Sequence, residues 1–279
     1  MKLVLFGVGT VAHRLAQESL AREGLQPVCI VDTSVHGSDT LARFAQGEGM
    51  DYVRERKINT PEFVERIHGY APDFLISADN FLIFRAALLG CASKACLNLH
   101  NGPINRYRGL NIPTWVIWNQ ESVHAVDWHE MAVELDAGGV WVRREFVLSG
   151  REVAGRLSLT CIAQAVEAIP ELCERIASAA GPDPTIDHTP GDYYSKRDLP
   201  RDGQLDSSLT VAEAKRLVRA LNYKPLPDHA DLPRLSSEGG EHPVLAVFDA
   251  EDESPHPTVP FSCTDGTVHL RLGQALPQT

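Results

Sequence analysis

The sequence is poor in positive charge and has no long apolar run. Lysine and arginine account for 26 of its 279 residues against 37 aspartates and glutamates, which gives a net charge of −11 at pH 7. Because general binding to nucleic acid rests on clustered lysine and arginine, this balance argues against a nucleic-acid partner. No uncharged stretch approaches the ~20 residues of a membrane-spanning helix, so no membrane partner is expected.

Metal-binding and secretory signals are absent as well. The six cysteines form no CxxC pair, and the histidines and cysteines lack the spacing of zinc ligands. We therefore expect no bound metal, and free thiols buried in a cytoplasmic protein. The apolar start at residues 2–6 precedes no small-residue cleavage site, so it is interpreted as a strand and not as a signal peptide.

The first half of the chain alternates strand-like and helix-like segments. The strand candidates are four apolar runs of the kind found in parallel sheets, at residues 2–6, 27–31, 74–78 and 95–99. Thr60-Pro61, a helix cap followed by proline, indicates one of the helices between them. The alternation predicts an α/β fold with a Rossmann-like, mostly parallel sheet and helices on both faces, as one domain at residues 1–188.

The second half follows another pattern. Two long strands are predicted at residues 124–136 and 140–148, where small residues join them. A long helix is predicted at residues 153–180, and Pro170 is expected to bend or split it. Residues 189–234 are predicted to form a linker arm and one amphipathic helix.

The C-terminal residues 235–279 are predicted to form a small β subdomain, either OB-like or a hairpin. A polar break is expected at residues 235–243. The pair Asp265-Gly266 indicates the turn of a hairpin near the end of the chain.

A glycine-rich turn near the start allows two interpretations. Gly7-Val8-Gly9-Thr10-Val11-Ala12 fits the pattern G-x-G-x-x-A between a strand and a helix, and Asp32 ends the next strand. In dinucleotide-binding folds such a turn holds phosphate and such an acid holds a ribose hydroxyl. The same turn is also the tight crossing that any doubly wound sheet needs, with Asp32 an ordinary acid at a strand end.

A second segment carries candidate catalytic residues. Asn98 and His100 are two residues apart at the end of a predicted strand, so their side chains share a face at the edge where open α/β sheets bind ligands. Asp136 is expected to end a later strand. A histidine can move a proton, an aspartate can fix its tautomer and favour its charged form, and an asparagine can donate to an oxyanion. This set suits acyl transfer to an amine; the alternative is a structural histidine.

Four spaced motifs carry a family resemblance: Asn98-Leu99-His100, Arg106-Tyr107-Arg108-Gly109, Val126-Asp127-Trp128-His129 and Leu135-Asp136-Ala137-Gly138. Together they resemble the tetrahydrofolate-dependent formyltransferases, which include methionyl-tRNA formyltransferases and sugar-nucleotide N-formyltransferases. Where that family usually has His-x-Ser-Leu-Leu-Pro, this chain has His100-Asn101-Gly102-Pro103-Ile104-Asn105. That loop, together with Trp115, Asn119-Gln120-Glu121 and the pair Trp128-His129, looks more like members linked to nonribosomal-peptide and other specialised pathways.

The resemblance implies 10-formyltetrahydrofolate as formyl donor, with no metal. It implies that His100 carries a proton or, once charged, stabilises the oxyanion, that Asp136 orients and charges His100, and that Asn98 donates to the oxyanion. His129 is expected to support the site or to be structural. The pterin is expected to contact Asn80, Phe81, Leu82, Ile83, Phe84, Ala137 and Gly138, with Phe81 and Ile83 as core residues the alternative. The acceptor is expected to contact Arg106, Tyr107, Arg108, Asn111 and Trp115, with a solvated loop at residues 106–108 the alternative.

The leading hypothesis is an N-formyltransferase, with residues 1–188 as its catalytic domain. The acceptor would be a small-metabolite amine: an aminosugar nucleotide, an amino acid or a carrier-bound aminoacyl group. The alternatives are an NAD(P)-dependent dehydrogenase that uses the Gly7-x-Gly9 turn, a formyltetrahydrofolate hydrolase and a non-catalytic binding protein. The expected partners are the small-molecule amine and, in a possible homodimer, a second copy of the chain.

Overall fold

A seven-stranded sheet dominates the N-terminal part of the protein. The structure, a computed structural model, describes residues 1–226, 232–237, 240–249, 251–252 and 254–275. The strands before residue 150 are β1 (Lys2–Gly7), β2 (Gln26–Asp32), β3 (Asp51–Arg54), β4 (Phe74–Ala78), β5 (Ala95–His100), β6 (Tyr107–Gly109), β7 (Val123–Glu130) and β8 (Val140–Val147). All except β6 form one sheet, in the order β3-β2-β1-β4-β5-β7-β8. Strands β1 to β5 pair in parallel and β7 runs antiparallel to β5, so the predicted Rossmann-like, mostly parallel sheet is confirmed.

The central strands are largely apolar because both of their faces are covered. Every residue of β4 is buried, and so are five of the six residues of β1. Phe6 of β1 packs edge-on against Phe84, with the ring centroids 4.6 Å apart, and against Phe63 at 6.3 Å. Full burial of one such side chain contributes about 1.5–3 kcal/mol, so this aromatic cluster stabilises one face of the sheet.

The helices are α1 (Gly9–Ala21), α2 (Asp39–Gly47), α3 (Pro61–Gly69), α4 (Ala86–Leu89), α5 (Ile112–Trp118), α6 (Ala154–Ala177) and α7 (Val211–Leu221). α3 begins as predicted, because Thr60 Oγ1 accepts the N–H of Phe63 at 3.3 Å. α6 continues through Pro170 without a break, so Pro170 does not split it, and the bend that was the other expectation stays a prediction. Its apolar face, which includes the buried Ile169 and Leu172, stabilises the helix more than the missing backbone hydrogen bond destabilises it.

Strand β7 is shorter than predicted. The expected strand at residues 124–136 ends at Glu130, whose partner on β5 is Leu97. One more contact follows, from the N–H of Met131 to the carbonyl of Cys96, and β5 itself begins at Ala95. β7 therefore ends close to the first residue of its partner β5. Residues 131–139 form a loop before β8.

A second sheet lies in the C-terminal part. The later strands are β9 (Asp192–Tyr194), β10 (Gln204–Leu205), β11 (Arg234–Ser237), β12 (Gly240–Asp249), β13 (Val259–Cys263) and β14 (Gly266–Leu272). β9 pairs with β6, and the others form a sheet in the order β10-β11-β12-β14-β13. The predicted hairpin is confirmed, since Cys263 pairs with Gly266 and leaves two residues in the turn.

The predicted polar break at residues 235–243 is wrong for residues 235–237 and 240–243, which lie in strands, and residues 238–239 lie outside the described residues. Arg234 pairs with Pro243 and Leu235 with His242, in the antiparallel pair of β11 and β12. Leu235 also packs against the apolar cluster around α7. The polar residues that suggested a loop are partly exposed positions of strands, which sequence composition does not distinguish from a loop.

Spatial proximity divides the chain into two compact units. The first contains Met1–Gly109, Ala125–Glu145 and Cys161–Tyr193, and the second contains Leu110–His124, Phe146–Thr160 and the residues from Tyr194 onward. The functional division at residues 188 and 234 stays a prediction. Of the helices in the described ranges, none combines the length and the apolar character needed to cross a bilayer.

The glycine turn after β1 yields a stability prediction. A Cβ at Gly7 would lie 1.9 Å from the carbonyl oxygen of Ala78, whereas a Cβ at Gly9 would meet nothing within 4 Å. Gly9 has φ +61, which costs an alanine about 1 kcal/mol. We expect Gly7→Ala to destabilise the fold by about 3 kcal/mol or more, because backbone must move, and Gly9→Ala by far less. Urea unfolding of both variants measures the difference, and equal losses would contradict it.

Candidate functional site

The carboxyl end of β5 brings two predicted residues beside a histidine of β7. In the antiparallel register Asn98 lies opposite His129, and His100 lies opposite Asp127. The amide nitrogen of Asn98 is 3.4 Å from Nε2 of His129. The rings of His100 and His129 are 6.1 Å apart and nearly perpendicular. Two strands thus contribute neighbouring polar side chains to one edge of the sheet.

Asp136 reaches the same place from a loop. It does not end a strand, as the sequence had suggested, but lies between β7 and β8 with a left-handed φ of 50°. Its Oδ2 accepts the N–H of Gly109 at 2.9 Å and lies 3.8 Å from Nδ1 of His100. Its Oδ1 lies 3.4 Å from Nε2 of His129. The three predicted catalytic residues therefore meet, with His129 as a fourth member.

His100 is held in one tautomer by the main chain. Its Nε2 lies 2.9 Å from the carbonyl oxygen of Tyr107, which can only accept, so Nε2 carries the hydrogen. The expectation that Asp136 fixes the tautomer is wrong, because 3.8 Å is too long for that hydrogen bond. Burial lowers the pKa of the His100 imidazole, and the charge of Asp136 offsets this only in part. In its neutral form the ring therefore has a bare Nδ1, which faces the carboxylate of Asp136.

Asp136 is ionised in this setting. Burial by itself raises the pKa of its carboxyl group. The two histidines and the N–H of Gly109 outweigh that effect and hold the pKa well below its usual range. A neutral imidazole beside a fixed negative charge is a good proton acceptor, because the imidazolium that forms is paired at once.

His129 is more closely involved than the sequence indicated. Its Nδ1–H donates to the carbonyl of Glu130 at 2.7 Å, which leaves Nε2 facing both Asn98 and Asp136. The ring is 1% exposed, so protein groups and not solvent surround it. The alternation of Asp127 and His129 on one strand was the available signal, because residues two apart share a face of the sheet.

Comparison with known proteins decides the family. The family model described as "Formyl transferase" matches residues 20–172, which is more than half of the chain and contains all four residues of the site. The chain belongs to the formyl transferase family. Its curated relatives include a methionyl-tRNA formyltransferase from Ruminiclostridium cellulolyticum, 28% identical over 81% of this chain and 74% of that protein. A GDP-perosamine N-formyltransferase from Brucella melitensis is 28% identical over 61% of this chain and 64% of that protein.

Solved structures support the fold of this formyltransferase. WlaRD, described as a sugar 3N-formyl transferase in the presence of dTDP and 5-N-formyl-THF, superposes with a TM-score of 0.69 at 15% identity and covers 99% of both chains. An N-formyltransferase from Helicobacter canadensis, in complex with folinic acid and dTDP-3-aminofucose, has a TM-score of 0.67 at 14% identity, over 98% of this chain and 100% of that one. HypX from Aquifex aeolicus covers 97% of this chain, which spans 45% of HypX. At these identities the likeness concerns the fold alone.

The residues predicted to contact the pterin lie in the loop after β4 and directly after Asp136, and they differ in exposure. Phe81 is 72% exposed and Ile83 is 57% exposed, so the alternative that they are core residues is wrong. Phe84 is buried against Phe6, and its place in the core does not support a ligand contact. Asn80 stabilises the loop itself, because its side chain accepts the N–H of Leu82. Ala137 and Gly138 follow Asp136 and are partly exposed.

The residues predicted to contact the acceptor are placed differently from one another. Arg106 is exposed at the start of β6, whereas Tyr107 is buried and offers its carbonyl to His100. The Arg108 side chain donates hydrogen bonds to Glu134, Leu135 and Gly191 of the protein itself. Asn111 precedes α5 and Trp115 stacks on Tyr194 with the ring centroids 4.2 Å apart, both in the second compact unit. Their role toward an acceptor stays a prediction.

Asp32, the acid that would hold a ribose beside the glycine turn, is fully buried and already hydrogen-bonded. One oxygen of Asp32 accepts the hydroxyl of Tyr52 at 2.6 Å, and the other accepts the N–H of Ser34 at 2.9 Å. Burial opposes ionisation of Asp32, but these hydrogen bonds outweigh it and lower the pKa of the carboxyl. The geometry favours the interpretation as a tight crossing. Across the described ranges there is no group of three or more acidic, histidine or cysteine residues suited to a metal ion.

A buried ion pair supports the loop that follows His100. Asp127 is completely buried and receives two hydrogen bonds of 2.7 Å from Arg143. The same carboxylate accepts the N–H of Ile104 at 2.9 Å, which fixes the middle of the loop between His100 and Tyr107. Removing the arginine would leave a buried charge without its partner, which is a costly change.

We expect Arg143→Gln to destabilise the fold by about 3 kcal/mol or more, for that reason. Its matched control is Arg144→Gln, because Arg144 forms a half-exposed pair with Glu171 at 3.6 Å and should contribute less than about 1 kcal/mol. Urea unfolding measures both free energies. A loss in Arg143→Gln no larger than in the control would show that the buried pair does not support the site.

Proposed function

We propose that this formyltransferase moves the formyl group of 10-formyltetrahydrofolate to a primary amine of a small metabolite. The observation that carries the proposal is the carboxylate of Asp136 between two imidazoles, one of them with a bare nitrogen, next to the amide of Asn98. The family match supports formyl transfer. The folate ligands and the sugar substrate in the descriptions of the related structures support the donor and the amine acceptor.

The first step adds the amine to the formyl carbon. The amine nitrogen forms the new bond, the carbonyl oxygen gains negative charge, and the nitrogen becomes positive. Nδ1 of His100 takes a proton from that nitrogen, and Asp136 pairs with the resulting imidazolium. In the second step the bond from the carbon to the folate nitrogen breaks. His100 returns the proton to the leaving nitrogen, so tetrahydrofolate and a formamide are formed and the histidine is neutral again.

Asn98 stabilises the oxygen in this mechanism. In the neutral state of His129, one N–H of the Asn98 amide donates to Nε2 of that ring, which fixes the amide in place. The second N–H stays available for the developing oxyanion. A donor that is oriented before the reaction is worth more than one that must reorganise, and loss of such a donor costs about 10²–10³-fold in rate.

The donor would lie between the loop after β4 and the loop after β7. Phe81 and Ile83 are exposed in the first loop, and Val133 and Leu135 in the second, which supplies apolar surface for a flat ring system. Polar contacts to the pterin would come mainly from the main chain, including that of Leu82, Ala137 and Gly138. Both loops belong to the first compact unit.

Among amine acceptors we favour an aminosugar nucleotide. The Brucella relative is a GDP-perosamine N-formyltransferase, and two of the structures with this fold are described as sugar enzymes or hold a sugar substrate. A net charge of −11 works against tRNA as the acceptor. An amino acid or a carrier-bound aminoacyl group would be the other outcomes of an acceptor screen. No finding favours the dehydrogenase or the hydrolase, and a homodimer and a cytoplasmic location stay predictions.

We expect His100→Ala to lower the turnover of formyl transfer by about 10²–10⁴-fold, because the proton acceptor is lost. Incubation with 10-formyltetrahydrofolate and nucleotide-linked aminosugars, followed by mass spectrometry of the formamide, measures the turnover. A folate analogue should still raise the melting temperature of the variant, whereas NADH should raise that of neither protein. Near-normal turnover in folded His100→Ala would refute the mechanism, and stabilisation by NADH alone would refute the proposed donor.

The pH profile tests Asp136. The low pKa of buried His100 predicts that kcat/KM rises with pH through an apparent pKa below the ordinary value of about 6.5. Asp136→Asn removes a charge that favours the imidazolium, so the maximal rate should fall and the acid limb should move to still lower pH. Glu171→Gln, an exposed carboxylate on α6, is the control and should leave the limb in place. A shift to higher pH in Asp136→Asn would contradict the assignment.

A further inference from the structure

Arg108 holds the segment that carries Asp136. Its Nη1 donates to Glu134 at 2.6 Å and to the carbonyl of Leu135 at 3.3 Å. Its Nε donates to the carbonyl of Gly191 at 2.8 Å. The guanidinium also lies over the ring of Tyr193, 6.0 Å from the centroid. One side chain therefore ties the loop after β7 to the β6–β9 pair.

The neighbouring residue completes the attachment. The N–H of Gly109 donates to Oδ2 of Asp136 at 2.9 Å. Two consecutive residues of β6 thus hold three consecutive residues of the loop: Arg108 holds residues 134 and 135, and Gly109 holds the carboxylate itself.

Main-chain hydrogen bonds fix the ends of the loop, from Glu130 to Gly139 and from Met131 to Cys96, but its middle packs little apolar surface. Val133 is 86% exposed and Leu135 is 38% exposed, so apolar packing contributes little to this segment. Asp136 also adopts a left-handed φ of 50°, which disfavours a non-glycine residue by about 1–2 kcal/mol. A segment with few buried contacts and an unfavourable backbone angle depends on its hydrogen bonds for a single conformation.

We propose that Arg108 is a positioning residue that fixes the carboxylate of Asp136 beside His100, and that it does not bind the acceptor. This replaces the acceptor contact that the sequence suggested, since the Arg108 side chain is only 14% exposed and its donors are directed at Glu134, Leu135 and Gly191. The inference rests on the proposed function for its kinetic consequences. Its structural part, the coupling of Arg108 to the Asp136–His100 pair, does not.

The charge environment allows that coupling to be measured. The groups that face His100 are Asp136 from the loop, His129 and Asp127 from β7, and the carbonyl of Tyr107 from β6. Of these, Asp136 lies on the loop segment that the Arg108 side chain holds. A displaced carboxylate would stabilise the imidazolium less. The pKa of His100 would therefore fall, as it would in Asp136→Asn.

The test compares Arg108→Gln with Arg144→Gln, an arginine of a half-exposed pair elsewhere in the same unit. In Arg108→Gln we expect kcat to fall by about 10²-fold, the usual effect of misplacing a catalytic group, with the KM values of donor and acceptor changed less than twofold. The acid limb of the pH profile should move to lower pH. A higher acceptor KM with unchanged kcat would overturn the proposal in favour of direct binding.

A double variant separates positioning from general loss of structure. In an Asp136→Asn background, Arg108→Gln should lower kcat less than threefold further, because the carboxylate that it positions is already gone. An additional drop as large as in the single variant would overturn the proposal. Arg108→Lys retains the charge without the planar fork and should give an intermediate kcat, which provides a second variant if Arg108→Gln does not fold.

An NMR titration of the His100 imidazole keeps this test separate from the proposed function. If the wild-type protein formylates no amine, the proposed function fails, but the titration can still be made. A lower imidazole pKa in Arg108→Gln than in wild type and Arg144→Gln supports the positioning role. An unchanged His100 titration in a folded Arg108 variant would overturn it.

Discussion

A carboxylate kept ionised inside the protein is the constraint on which the site depends. An isolated buried charge is strongly unfavourable, so Asp136 needs partners on every accessible side. The N–H of Gly109 satisfies one oxygen, and the two imidazoles approach both. Each imidazole donates its other N–H to a main-chain carbonyl, His100 to Tyr107 and His129 to Glu130. The remaining nitrogen of each ring faces the carboxylate, so a proton taken up by either ring is paired with that negative charge at once.

The reversal of strand direction at β7 makes this arrangement possible. If β7 ran parallel to β5, different residues would lie beside Asn98 and His100. Because β7 runs antiparallel, its own C-terminal half lies beside Asn98 and His100 and brings His129 and Asp127 into register with them. The loop that leaves β7 then returns over the same edge and carries Asp136. The antiparallel direction of β7 thus supplies three of the acidic and imidazole groups around the site, Asp127, His129 and Asp136.

The sequence predicts those parts of the fold in which the residue types themselves indicate whether a position is buried or exposed. β4 is buried along its whole length, so its apolar run is unambiguous, and the alternation of Asn98 and His100 places both on one face. The end of β7 could not be predicted, because it depends on where β5 begins and not on the residues of β7. The tautomer of His100 depends on a backbone carbonyl, which has no sequence signature. Arg108 resembles a ligand-binding residue in sequence, and only its geometry shows that the protein itself occupies it.

The loop from His100 to Tyr107 has a consequence for how the site is assembled. The histidine and the carbonyl that orients it are the two ends of one short loop, whose middle is attached to the buried Asp127 at Ile104. Local chain geometry thus sets the ring orientation before any substrate is present. A change in the length of this loop would turn the imidazole without altering a single catalytic residue.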